Sequence, residues 1–235
     1  SLTGSGIPTL VSVGAPPSTE SAPAALPPVY PEWLGDRSFA ADHGARFNYV
    51  AGEMARGIAT PKMVIEAARA GCVGFYGSAG LPVAEIKSGV AGIKAALGAD
   101  ARNWGANLIH SPQEPGQEAA VIDLFLAEGV TRVSASAFMR LTADVVRYTA
   151  LGLTRAADGT IRRAHHVFAK VSRAEVAEVF MAPAPEKMLQ QLVTSGAITS
   201  AQAELAAQVP VAADITAEAV SGGHTDIRPA APLFS

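Results

Sequence analysis

From residue 46 onward the chain repeats one pattern: a short apolar run, a glycine-bearing or polar turn, then an apolar stripe at helical spacing. Residues 47–51 read as the first strand. Thr60 and Pro61 then open a helix, with threonine as cap and proline in the first turn. Met63, Val64, Ala67, Ala68 and Ala70 form its stripe, and Gly71 closes it. A second strand is expected at 72–76, and a helix at 82–97 carries Val83, Ile86, Val90, Ile93 and Leu97. The unit recurs as strand 104–109 with helix 117–128, then strand 131–135 with helix 142–151. Residues 156–163 read as a polar turn around Asp158 and Gly159, leading into strand 166–171. Ser172 and Glu175 have capping-box spacing for the next helix. After the proline-rich stretch 181–185, two helical segments are expected at 186–195 and 200–208, the second opened by a capping box from Thr199 to Gln202. The sixth strand is 214–219.

Strict alternation of strand and helix calls for a parallel sheet covered by helices. A doubly wound open sheet and a (β/α)8 TIM barrel both satisfy it. The first strand-to-helix turn lacks G-x-G-x-x-G, which weakens the dinucleotide-binding version. Polar and glycine residues gather just after each strand, where a barrel keeps its active-site loops, so the barrel is favoured. Only six strands are predicted, so the chain is expected to supply about the first six strand–helix units, the barrel being incomplete at its C-terminus. The expected domains are a Pro-rich N-terminal arm at 1–33 and the barrel at 34–235, with a helical insertion at about 181–210. Trp33 and Leu34 would anchor the arm.

Of the 235 residues, 49% are hydrophobic and 17% charged, ample material for a buried core. A net charge of −3 without a dense basic block argues against nucleic acid as a partner. Cys72 is the single cysteine, which excludes an internal disulfide; it reads as a small core residue. No stretch approaches a membrane span, and the beginning lacks a basic-then-apolar signal pattern, so a cytoplasmic protein is expected.

The candidate chemistry centres on Ser221-Gly222-Gly223-His224. Two glycines permit a sharp turn with open N–H groups, and the histidine can exchange a proton near neutral pH. An ordinary tight turn with a surface histidine is the alternative. Asn107, ending the third strand, offers donor and acceptor to a heterocycle edge, or caps its own loop. Lys170, inside an apolar strand, needs a partner or a ligand, unless it snorkels to the rim. His165 and His166 point to opposite faces and make a poor metal pair. His110 falls in a loop, and His43 is expected at the surface. Neither zinc-ligand spacing nor a G-x-S-x-G elbow is present. Weight therefore shifts to an organic cofactor.

Several motifs occur in the order of a known family. They include Ala41-Asp42-His43-Gly44, Asn107-Leu108-Ile109-His110-Ser111-Pro112, Val133-Ser134-Ala135-Ser136-Ala137-Phe138 and Ser221-Gly222-Gly223-His224-Thr225-Asp226. Over about residues 34–229 the chain resembles the PfaD-type trans-acting enoyl reductases of polyunsaturated fatty acid and polyketide synthases. These belong to the wider nitronate monooxygenase (2-nitropropane dioxygenase-like) group of FMN barrels. The resemblance implies FMN at the carboxyl ends of the strands, NADPH as reductant, and a 2-enoyl thioester on an acyl carrier protein as substrate. It places Gly52, Glu53, Met54 and Ala55 beside the flavin, with Asn107 and Lys170 as polar contacts. Ser221, Gly222 and Gly223 form the turn near the ring, His224 is the active-site histidine, and no metal is implied. Ile227 departs from the family, where Asn is expected. A homo-oligomer stays open, as do two other readings, a nitronate monooxygenase and a non-catalytic partial-barrel assembly module.

Overall fold

The computed structural model describes residues 29–114 and 116–217. A 3-10 turn at Pro31–Trp33 precedes α1 (Arg37–His43). Then come β1 (Val50–Gly52), α2 (Pro61–Arg69), β2 (Val73–Tyr76) and α3 (Val83–Leu97). The alternation continues through β3 (Trp104–Ile109), α4 (Gln117–Glu128), β4 (Arg132–Ser136) and α5 (Ala143–Leu151). A hairpin of β5 (Leu153–Arg155) and β6 (Ile161–Arg163) leads into β7 (His166–Val171) and α6 (Ala174–Met181). Helices α7 (Glu186–Thr194) and α8 (Ser200–Ala206) precede β8 (Asp214–Ala217).

The six long-range strands form one sheet in the order β1-β2-β3-β4-β7-β8, every pair parallel. Sequence order is kept throughout, without the reversal that defines a doubly wound sheet. The sheet is also curled. Lys170 on β7 meets Glu53, just after β1, at 3.2 Å. Those strands lie four places apart, about 19 Å along a flat sheet at the usual inter-strand spacing. Side chains can close that gap only if the sheet bends toward a barrel, in keeping with the position of the polar loops.

The strand period of two sorts residues onto two different faces. Trp104, Ala106 and Leu108, Val133 and Ala135, and Val167, Ala169 and Val171 pack under α3, α4, α5 and their neighbours in the main core. The alternate positions face into the curl, where Val73, Phe75 and Phe168 form a small second cluster with Phe39 of α1. Helix α1 therefore plugs the amino end of the curl. Asp36 caps it by accepting from the Ser38 N–H at 2.8 Å, and Gly44 ends it in the left-handed region at φ 65°.

Several expectations change here. The segment 37–43 was not predicted as a helix, although Asp36 and Gly44 are its local signals. The polar turn at 156–163 is the tip and one arm of the β5–β6 hairpin. His43 is buried, 1% exposed, because α1 turns it into the curl against Phe168 and His166. Trp33 and Leu34 are exposed; Trp33 packs edge-on against Tyr30 instead of a core. Cys72 is only half-buried. The capping box at Thr199 and Gln202 forms, whereas α6 starts from Arg173 without a side-chain cap. Glu175 accepts an ion pair from Arg173 Nε at 2.9 Å and so does not reach back to Ser172. Among the described residues, no helix is long and apolar enough to cross a membrane.

Candidate functional site

The carboxyl ends of β1 and β2 are sewn together by their loops. Gly52 has φ 104°, and a Cβ there would lie 2.5 Å from the Phe75 carbonyl oxygen, so β2 itself demands glycine. Beyond it, the Arg56 N–H donates to Ala79 O at 2.8 Å, Gly57 N–H to Gly77 O at 2.8 Å, and Ala59 N–H to Met54 O at 3.0 Å. Gly77 is equally constrained, since a Cβ would fall 1.8 Å from the Met54 carbonyl oxygen. Glu53 and Arg56, at φ 63° and 55°, hold the left-handed region that non-glycine residues rarely adopt. Such positions concentrate where a loop must present a side chain in a fixed direction.

That direction is into the curl. The Glu53 carboxylate and the Lys170 ammonium pair across it, both largely withdrawn from solvent. Asn107, 2% exposed, stands on the same face: its NH2 donates to the Ser134 carbonyl at 3.0 Å and to Ser136 Oγ at 2.9 Å. The Ser78 hydroxyl donates to the Asn107 main-chain carbonyl at 2.6 Å. The amide orientation is thus fixed by β4. Met54 is 48% exposed at the same rim. The structure therefore brings together Gly52, Glu53, Met54, Ala55, Asn107 and Lys170 at one end of the curl. Ser221, Gly222, Gly223 and His224 lie outside the described residues.

The other histidines divide. His165 points away from the curl, stacked on Tyr148 at 4.7 Å with Nδ1 against the Tyr148 carbonyl at 2.8 Å, and burial lowers its pKa. His166 points inward, as the opposite-face reading requires. His110 stands past the end of β3, where Nδ1 meets Glu118 at 3.0 Å and the ring stacks on Phe138. Ser134 and Ser136 were not singled out from sequence; their signal was the alternation of Ser with Val and Ala in the fourth strand.

The chain is 50% identical over 196 residues, 83% of its length, to a polyunsaturated fatty acid synthase subunit of Thraustochytrium sp.. It is 47% identical over 212 residues to a second such subunit from the same organism. It is also 43% identical over 195 residues to the "Polyketide biosynthesis protein PksE" of Bacillus subtilis. This chain is similar to a segment that those synthase proteins share. It spans 13%, 10% and 25% of their respective lengths. Among solved structures, the chain matches the enoyl reductase domain of MlnA, from the macrolactin biosynthesis cluster of Bacillus amyloliquefaciens, with a TM-score of 0.76. That match has 36% identity and covers 79% of this chain and 42% of the MlnA chain. No family model matches. The resemblance to PfaD-type synthase proteins, first carried by short motifs, thus extends over most of the segment.

Proposed function

We propose that the segment contributes the first six units of a (β/α)8 barrel enoyl reductase, which uses FMN and NADPH to reduce a 2-enoyl thioester on an acyl carrier protein. The observation that carries this reading is the polar set Glu53, Asn107 and Lys170 gathered at the carboxyl ends of a curled parallel sheet. The likeness to an enoyl reductase domain supports it.

The residues present suit a flavin. Lys170, held by Glu53, is a fixed cation, and a reduced flavin carries negative charge near its pyrimidine edge. Asn107, fixed by Ser134 and Ser136, would orient the same heterocycle through its remaining acceptor. Bound there, FMN supplies hydride transfer from NADPH to the β-carbon of the enoyl thioester. The segment's own residues hold and orient the ring and keep water from it. By family position, His224 or water would give the proton to the α-carbon.

A visible absorption spectrum of the intact protein tests the reading, followed by NADPH bleaching under nitrogen and turnover of a crotonyl thioester. A flavin spectrum, bleaching and thioester-dependent reoxidation are expected. His224→Ala should slow reoxidation and leave the flavin spectrum in place. A colourless protein that takes up no added FMN sinks the proposal. Oxygen uptake with a nitronate, without thioester turnover, would replace it by nitronate oxidation.

A further inference from the structure

A cavity of about 710 Å³ opens at the amino ends of the strands, opposite the proposed reaction. Its walls come from α1, the approaches to β3, β4 and β8, and the β5–β6 hairpin. Four guanidinium groups line it, those of Arg102, Arg132, Arg162 and Arg163, against the carboxylates of Asp42 and Asp214.

The buried charge here is supported mostly by neutral groups. Arg132, 2% exposed, donates to His43 Nδ1 at 3.0 Å, to Thr131 Oγ1 at 2.9 Å and to the Asp42 main-chain oxygen at 2.8 Å. Arg163 spends its donors on the Val211 and Pro210 carbonyls, at 3.0 and 2.6 Å. Asp214 is engaged by His43 Nε2 at 3.1 Å. Because Arg132 can only donate, His43 Nδ1 accepts, which places the ring proton on Nε2, toward Asp214. Arg162 meets a carboxylate only at 3.9 Å, that of Asp158. Arg102 has no hydrogen-bond or ion-pair partner among the described residues. With both histidines neutral, four cations face two anions. The surplus is felt: burial first, then Arg102, lowers Arg132 to about 10. Burial first, then Arg132, His43 and Arg163, lowers His166 to about 3.

His43, His166 and Asp214 bring ligand-capable atoms within 4.8 Å of one another, a spacing that would also suit a metal ion. The surrounding charge decides against it. A cation placed among these guanidinium groups meets like charge in a partly buried site, where repulsion is poorly screened. An anion gains instead.

We propose that this cavity binds a small phosphate-bearing anion, gripped by Arg102 and Arg162, with Arg132 and Arg163 as fixed positive charge behind it. Guanidinium forks match phosphate oxygens, and a phosphate ester carries about two negative charges at neutral pH, the size of the surplus. The volume exceeds that of a bare oxyanion and leaves room for an organic portion against Ala41, Ile161 and Pro210. The site is independent of the enoyl reductase reading.

Isothermal titration of the intact protein with inorganic pyrophosphate tests it. One site is expected, weakened at least about tenfold in the Arg102→Gln/Arg162→Gln variant, because two charge-assisted contacts are lost. Both side chains are on the surface, so an unchanged urea midpoint should confirm that the variant folds. No binding up to about 5 mM pyrophosphate, a range covering weak millimolar sites, overturns the proposal. So does binding that the double variant leaves intact. Tight zinc binding abolished by His166→Ala, in a protein indifferent to pyrophosphate, would assign the cavity to a cation instead.

Discussion

Single residues here act mainly through what they exclude. Gly77 leaves no space for a methyl group, because the Met54 carbonyl occupies it and is itself held by Ala59 N–H. Gly77→Ala must therefore push the β1 loop away from β2, at a cost of about 3 kcal/mol or more, typical of severe overpacking. Urea unfolding measures this, and a shift below about 0.5 kcal/mol would show that the loop yields freely. His166 makes a different prediction. Its pKa in the fold, about 3, lies below the ordinary histidine value, with burial as the largest cause. The folded state therefore prefers the neutral ring. Its contribution is complete above about pH 6.5 and is lost as pH falls from there toward 3, since only the unfolded chain takes up the proton in that window. Between pH 7 and pH 5 the loss should be about 2 kcal/mol. A His166→Gln variant should show a flatter acid limb in Tm, and an identical limb would assign the acid sensitivity elsewhere.

At the scale of elements, two capping boxes that look alike in sequence behave differently. Thr199 accepts from the Gln202 N–H at 3.2 Å, and Gln202 Oε1 accepts from the Thr199 N–H at 2.9 Å. Ser172 caps nothing, because α6 begins at Ala174 with Arg173 at the cap position, and Glu175 is occupied. Thr199→Ala should cost about 1 kcal/mol, as cap removals do. Ser172→Ala should cost less than about 0.5 kcal/mol. Equal effects in denaturant would contradict the two assignments. The helices and strands themselves were largely legible: β3, α4 and β7 have the predicted bounds, because their apolar periodicity is undisturbed and their ends carry Gly or polar residues. α1 was not, because a seven-residue helix offers too few apolar repeats to register, and its burial depends on a contact with Phe168 far along the chain.

For the whole molecule the telling contact is Lys170 with Glu53, which joins the first strand to the fifth of the sheet. Removing either partner takes away one charge-assisted contact in a largely dry site, so Lys170→Met and Glu53→Gln should each destabilise, by about 2 kcal/mol. Combined, they should cost less than their sum, with a coupling above about 0.5 kcal/mol in a double-mutant cycle. Strict additivity would mean that the pair contributes nothing to the curl. Lys170→Met should also weaken flavin retention if Lys170 holds the ring as proposed.

What the sequence determined by itself is the order of elements, their parallel sheet and the loops that carry the polar residues. Those follow from local periodicity, glycine placement and caps, all written within a few residues of where they act. It also marked Asn107 and Lys170 as polar residues, since each interrupts an apolar strand. The tertiary structure decided the rest. Asn107 is committed to Ser134 and Ser136 by strand register, and Lys170 finds Glu53 only because the sheet bends. His43 and Asp214, 171 residues apart, meet at 3.1 Å only because α1 folds under the curl and β8 adds beside β7. Distances along the chain carry no trace of such a meeting; curvature and register create it.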